Sequence, residues 1–242
     1  MSHQINEHMS DQMSEDSNQN TATHGHLVFD ILDYWHAGTG HGEGRYLDAT
    51  VVRTPAGLPY IPGRTIKGLL RDVVLQTEQF GHLEAGTTEE IFGSHLPAAG
   101  LSSTQADQDA DGAKVITRTG LLRIGSATLG EDLEQYCLQQ ARQSQDSNAS
   151  EPSLLPGFFD TLARTALDEK GQARDKSLRR IEVSIPLKLH AQWSCSDPEK
   201  SAWMVAAIEK SLPLLRRFGL SRHRGLGRVE VTIQTISSTE AA

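Results

Sequence analysis

Ile181-Glu182-Val183-Ser184-Ile185-Pro186-Leu187-Lys188-Leu189-His190-Ala191-Gln192-Trp193 is the stretch on which the fold turns. Ile181, Val183, Ile185, Leu187, Leu189, Ala191 and Trp193 alternate with Glu182, Ser184, Lys188, His190 and Gln192. A period of two puts one row of side chains on a core and the other in water. The pattern predicts one half-buried strand over 181–193. Downstream, a helix is expected over about 199–218, with Trp203, Ala207, Leu214 and Phe218 on one stripe and Pro213 kinking or restarting it. Val229, Val231 and Ile233 alternate again as a last strand over 228–234.

Upstream of the deciding stretch lies a long, irregular region. Residues 130–178 have mixed polarity, a poor core pattern and a low-complexity centre, and they read as an insertion. A strand is expected over 121–129, preceded by a Ser-, Ala-, Asp- and Gly-rich loop over 94–119. Ile66, Leu69, Leu70, Val73 and Val74 follow the spacing of one buried helical face, which predicts a helix over 64–80 starting after Pro62-Gly63. Order is expected from Leu27, where the apolar residues of HLVFDILDYW occupy both faces of a strand, as in the middle of a sheet. Four glycines between 37 and 44 then mark a mobile loop. Strands interleaved with two helices and two insertions make an α+β fold.

The chain has 242 residues, 37% hydrophobic and 22% charged, enough to bury a substantial core. No run approaches the roughly 20 apolar residues that cross a bilayer, and the first twenty residues lack a secretory signal pattern, so a cytoplasmic protein is expected. Two cysteines cannot make a disulfide framework and supply too few thiolates for a structural zinc site. The formal charge of −8 is unevenly spread. Residues 1–26 hold four acids and no Lys or Arg, and residues 1–25 are expected to form a disordered acidic tail, leaving 26–242 as one domain. By contrast, Lys210, Arg216, Arg217, Arg222, Arg224 and Arg228 share the 210–228 stretch with no acid. That local basic region is what a nucleic-acid partner would read.

Three segments are candidates for chemistry. Arg64, Lys67 and Arg71 stand three and four residues apart at the start of the 64–80 helix, with Thr65 beside them and Gly68 leaving room for a sugar-phosphate backbone. The same spacing fits an ordinary solvated basic face. Ser221-Arg222-His223-Arg224-Gly225-Leu226-Gly227-Arg228 interleaves arginines with glycines at a helix-to-strand junction, which suits phosphates and equally a surface turn. Asp48 ends the glycine-rich loop near Arg45 and begins a short strand over 49–52. A carboxylate there could orient a ribose hydroxyl or a divalent ion, or simply cap backbone N–H groups. Walker, GxSxG, HExxH and CxxC motifs are absent. His24 and His26, an HxH pair at the end of the tail, read as solvated rather than metal-bound.

Taken together, these segments resemble the RAMP superfamily of CRISPR-associated proteins, and among them the repeating backbone subunits of type III effector complexes. Ile61-Pro62-Gly63-Arg64-Thr65-Ile66-Lys67-Gly68 with Arg71 is similar to the family's P-G-x-x-x-K-G stretch. The loop from His36-Ala37-Gly38 to Leu47-Asp48-Ala49-Thr50-Val51-Val52-Arg53 resembles its glycine-rich loop leading to an aspartate. Ile91-Phe92-Gly93, Arg164-Thr165-Ala166-Leu167-Asp168 with Leu178-Arg179-Arg180, and Arg224-Gly225-Leu226-Gly227-Arg228 resemble its F-G, thumb hairpin and C-terminal glycine loop. Arg64-Thr65 departs from the two small hydroxyl residues common in the family.

The resemblance implies a modified RRM or ferredoxin-like core, with a lid-like insertion at about 94–119 and a thumb-like one at about 130–180. It implies contacts to guide CRISPR RNA from Arg45, Arg53, Arg64, Thr65, Lys67, Arg71, Arg222, Arg224, Gly225, Gly227 and Arg228. Target RNA, further copies of the chain, a large polymerase-like subunit and a small helical subunit are the other implied partners, with no membrane. Asp48 matches the position that makes the cleaving branch a metal-dependent endoribonuclease, with a transient divalent cation such as magnesium. Related subunits carry the same stretch without cutting. A metal-independent guide-processing endoribonuclease, with His36 or His41 as general acid or base, is a further alternative.

Overall fold

The computed structural model describes residues 22–42, 47–94, 118–146, 155–166 and 168–236. Residues 1–21 of the expected tail, Arg45 and most of the expected 94–119 loop fall outside them. Among the described residues the strands are β1 (His24–Ile31), β2 (Leu122–Ile124), β3 (Phe159–Arg164), β4 (Arg179–Ser184), β5 (Lys188–Cys195) and β6 (Val229–Thr235). The helices are α1 (Gly63–Gln79), α2 (Thr87–Phe92), α3 (Glu131–Asp146) and α4 (Pro198–Ser211).

The main sheet has the order β2-β5-β1-β6, with every neighbouring pair antiparallel. Without the β3–β4 pair, the chain order is βαββαβ, two interlocked βαβ units that define a ferredoxin-like α+β fold. β1 is flanked on both sides, which is why its apolar residues fill both faces: Leu27, Phe29 and Ile31 meet the helices, and Val28 is buried on the other side. Ile66, Leu70, Val73 and Val74 of α1 and Met204, Ala207 and Ile208 of α4 join Leu189, Ala191 and Trp193 of β5 in one core.

Strand order here begins at His24, earlier than Leu27. His24 and His26 therefore belong to β1, opposite Ser194 and Gln192 of β5. Gly25 is buried because a Cβ there would lie 1.9 Å from the Gln234 carbonyl oxygen of β6.

The deciding stretch is two strands. Pro186 has no N–H to offer a ladder, and the chain breaks there. β5 enters the main sheet, whereas β4 pairs with β3 in a separate hairpin. Glu182 and Ser184, expected to face water, are buried because segment 47–53 and Trp35 cover that side of the hairpin, through bridges of Ala49 to Ile181 and Trp35 to Ser184. β3 and α3 fall in the expected 130–178 insertion, and a small second core of Ala56, Leu58 and Cys137 lies under α3. The expected strand over 121–129 is only β2 and two isolated bridges at Ala127 and Thr128. Likewise Ala49–Val52 makes isolated bridges rather than a strand.

α4 is shorter than expected. Asp197 caps it by accepting the Glu199 N–H at 3.0 Å, and Pro198 fits the first turn. Pro213 cannot continue the helix, so a 3-10 turn over Leu212–Leu214 follows Ser211. Trp203 and Leu214 are consequently exposed, not part of the core stripe. No helix among the described residues is long and apolar enough to cross a membrane.

Candidate nucleic-acid interface

The topology gathers the candidate loops. β1 and β2 run parallel, with β5 and β6 opposed to them, so four strand ends and three chain connections lie at the same end of the sheet. Ile31, the last residue of β1, is in register with Val229, the first of β6, and its N–H donates to the Leu187 carbonyl at 2.9 Å. From this end leave the glycine-rich loop with Asp48, the insertion carrying β3–β4, and the turn before β6.

The hairpin is the hub at which these loops meet. Tyr34 Oη donates to Asp160 at 2.9 Å, and that bond holds the tyrosine hydroxyl above its ordinary pKa. Arg164 Nη1 donates to Ser221 Oγ at 2.6 Å, tying β3 to the arginine-glycine loop. Leu226 of that loop is buried against Ile181 and Val183 of β4.

Asp48 sits at the base of β4. Its Oδ2 accepts the Arg180 N–H at 2.8 Å and its Oδ1 accepts from Arg179 Nη1 at 3.1 Å. The main chains are joined too, the Asp48 N–H donating to the Arg180 carbonyl at 2.7 Å. The Arg180 N–H, and then the Arg179 guanidinium, hold the carboxyl below the usual aspartate range. The Asp48 side chain remains 39% exposed, so this anion is both fixed and reachable. A depressed carboxyl pKa contributes stability that is present above the unfolded value and is lost as pH falls through the folded one. Arg179→Ala is expected to raise the Asp48 pKa without fully restoring the ordinary value, because the Arg180 N–H bond stays. A carbon-13 carboxyl titration that showed no change in Asp48 would rule out the Arg179 contribution.

Beneath this lies a buried carboxylate that sequence reasoning passed over. Glu182 accepts the Val51 N–H at 2.9 Å through Oε2 and Arg53 Nη2 at 2.5 Å through Oε1. Arg53 also lies over the Phe159 ring, 3.6 Å from its centroid. Expected as an RNA contact, Arg53 therefore spends its guanidinium within the protein. His36 is buried, and its Nδ1–H donates to the Glu182 carbonyl at 2.6 Å. A ring so held is a structural element, which leaves only the exposed His41 of the two histidines considered as acid or base.

The other expected RNA contacts divide. Arg64, Thr65 and Gly68 are exposed on the first turns of α1, Lys67 is half-buried, and a Cβ added at Gly68 would meet nothing within 4 Å. Arg71 turns inward, Nη1 donating to the Gly93 carbonyl at the end of α2 at 3.2 Å. Arg222, Arg224, Gly225 and Arg228 are exposed on the last loop, whereas Gly227 is buried. Arg217 is committed to Asp33 at 3.6 Å and the Leu226 carbonyl at 3.3 Å.

Gly63 and the start of α1 pack on the turn after β2, where the Gly63 N–H donates to Ser126 Oγ at 3.2 Å. That face is held separately from the hairpin hub. Among the described residues no three His, Cys, Asp or Glu come together as metal ligands. Among the described residues no resident divalent-cation site is formed, and Asp48 is the exposed carboxylate at the base of β4.

The RAMP superfamily model matches residues 28–230. Two solved structures are similar in fold. One is a chain of the type III-B Cmr-beta complex bound to cognate target RNA, determined by cryo-EM. It has a TM-score of 0.59 and 13% identity, over 88% of this chain and 98% of that one. The other is a chain of Cmr-beta in the apo state, with a TM-score of 0.57 and 12% identity, over the same 88% and 98%. No curated protein sequence matches closely enough to count as a relative.

Proposed function

Because the chain belongs to the RAMP superfamily, we propose that it is a guide-RNA-binding backbone subunit of a cytoplasmic type III CRISPR effector complex, which cleaves target RNA paired with the guide. Its partners in this reading are guide RNA, target RNA, further copies of itself, and the large polymerase-like and small helical subunits of the complex. The β3–β4 hairpin takes the role of the thumb that splays the target strand. Arg64, Lys67, Arg222, Arg224 and Arg228 supply phosphate contacts from exposed turns. The single observation that carries the cleaving role is the ionised, 39% exposed Asp48 carboxylate pinned at the base of that hairpin.

The chemistry asked of Asp48 is limited. In-line attack of a ribose 2′-hydroxyl on the adjacent phosphate forms a 2′,3′-cyclic phosphate and releases the 5′-hydroxyl of the next nucleotide. A fixed carboxylate that accepts a hydrogen bond from the 2′-hydroxyl orients the attacking oxygen, whose proton passes to solvent while the leaving 5′-oxygen takes one up. Any divalent cation would arrive on RNA phosphates, with Asp48 as its protein contact.

A second reading, a scaffold that holds guide RNA and leaves cutting to another subunit, has its own support. Arg179 and the Arg180 N–H already occupy both Asp48 oxygens. The two readings separate in a complex reconstituted with guide RNA, labelled complementary RNA and magnesium. Asp48→Ala is expected to abolish regularly spaced cuts, a fall of about 10² to 10⁴ in rate, with target binding intact. Unchanged cuts, or none in either protein despite binding, would leave the scaffold reading. Persistence of cutting in chelator would remove the cation.

A further inference from the structure

The open face of the main sheet, opposite α1 and α4, is polarised along its length. At the end where β1 finishes, Lys188 pairs with Asp30 at 3.3 Å, and Glu230 stands opposite Asp30. At the far end, where β1 begins, the facing positions hold no carboxylate. Arg123, Ser194 and His24 make one row across β2, β5 and β1. Gln192 and His26 make the next. Gly125, whose N–H donates to the Gln192 carbonyl at 2.9 Å, contributes no side chain beside that row. These residues line a groove of about 440 Å³.

Two further observations mark the groove as built for a ligand. Nδ1 of His26 is buried and finds no hydrogen-bond partner within the protein. Arg123 is exposed and forms no ion pair among the described residues. Guanidinium, imidazole, amide and hydroxyl groups thus line one depression that holds no carboxylate among the described residues. A phosphate, with more acceptor oxygens than a carboxylate, can satisfy that many donors at once.

We propose that this groove is an anion site that takes the phosphate groups of single-stranded RNA, at the end of the sheet opposite Asp48 and the arginine-glycine loop. No Phe, Tyr or Trp stands at the even-numbered positions of β1, β5 or β6 that form this face. Trp193 borders the groove but is buried, its Nε1–H donating to the Gln234 carbonyl at 3.2 Å, so bases have no open stacking platform there and the contact reads backbone and not sequence. The site stands independently of whether Asp48 cuts.

The test uses the full chain carrying ring-labelled histidine, with the His24 and His26 resonances assigned through His24→Gln and His26→Gln. Three probes are added separately: a 12-nucleotide single-stranded RNA, inorganic phosphate and poly-glutamate. RNA is expected to move both resonances, also in an Arg224→Glu background that weakens the other loop. Arg123→Ala, an exposed change that leaves amide dispersion intact, is expected to weaken this response about tenfold. Movement by inorganic phosphate as well supports the same chemistry. Movement by phosphate without RNA assigns the groove to a free anion and overturns the RNA proposal. A response to poly-glutamate alone, or to none of the probes, overturns it as well.

Discussion

Gly227→Ala is expected to cost about 3 kcal/mol of stability, the sum of left-handed backbone strain and a collision with fixed main chain. Gly227 has φ +70°, and a Cβ there would lie 2.0 Å from the Phe218 carbonyl oxygen. Neither side can yield cheaply. The Phe218 N–H donates to the Gly227 carbonyl at 3.0 Å, and the Gly227 N–H donates to the Tyr34 carbonyl at 2.8 Å. The Phe218 ring in turn packs on the buried Trp35 at 5.6 Å. Moving the loop would also withdraw Leu226 from the β4 hairpin and displace Arg224 and Arg228, so RNA affinity should fall with stability. Gly225 provides the control. Its φ is +88°, yet a Cβ there would meet nothing within 4 Å. Gly225→Ala should therefore cost only about 1–2 kcal/mol of backbone strain. Urea midpoints for the two variants decide the matter, and equal losses would refute the steric account.

Glu182→Ala carries the other large expected effect, about 2–4 kcal/mol. It leaves the buried Val51 N–H without an acceptor and Arg53 without its counterion. Arg53 is 40% exposed, which keeps the expected cost below that of a fully enclosed pair. Glu182→Gln retains an acceptor for Val51 and should recover part of the loss. Since Val51 lies three residues after Asp48 in the same segment, target cutting should fall along with stability in the alanine variant. A denaturation midpoint for Glu182→Ala indistinguishable from wild type would show that this carboxylate does not organise the site.

Much of the fold was legible because its signals are local. The apolar spacing of Ile66, Leu70, Val73 and Val74 places α1, and the two-sided apolar run of β1 places a central strand. What misled was alternation carried across Pro186. Both halves keep the same parity, so the pattern cannot show that the chain changes sheets there. β3 and α3 were illegible for a related reason. β3 exposes half of its residues and buries none, and α3 buries Cys137 in a small separate core, so neither leaves a strong amphipathic trace.

At the candidate site, Asp48 and the arginine-glycine loop could be picked from sequence. Their partners could not. Arg179 and Glu182 lie more than a hundred residues from the groups they hold, and only the docking of the hairpin brings them together. The Arg179-Arg180 pair at the start of a strand was the available clue. Arg53 and Arg71 show the converse, cationic side chains that also make hydrogen bonds within the protein, which their spacing in sequence does not reveal.

The pairing of β1 with β6 has a kinetic consequence. The first strand to emerge during synthesis needs the last one as a neighbour, and the two βαβ units interlock, so neither half can close by itself. At about 5–20 residues per second, the ribosome would leave β1 lacking that partner for roughly 10–40 s. Such a chain has high contact order and exposes a bare apolar edge until β6 is made. Its yield in the cell should depend on what shields that edge during those seconds.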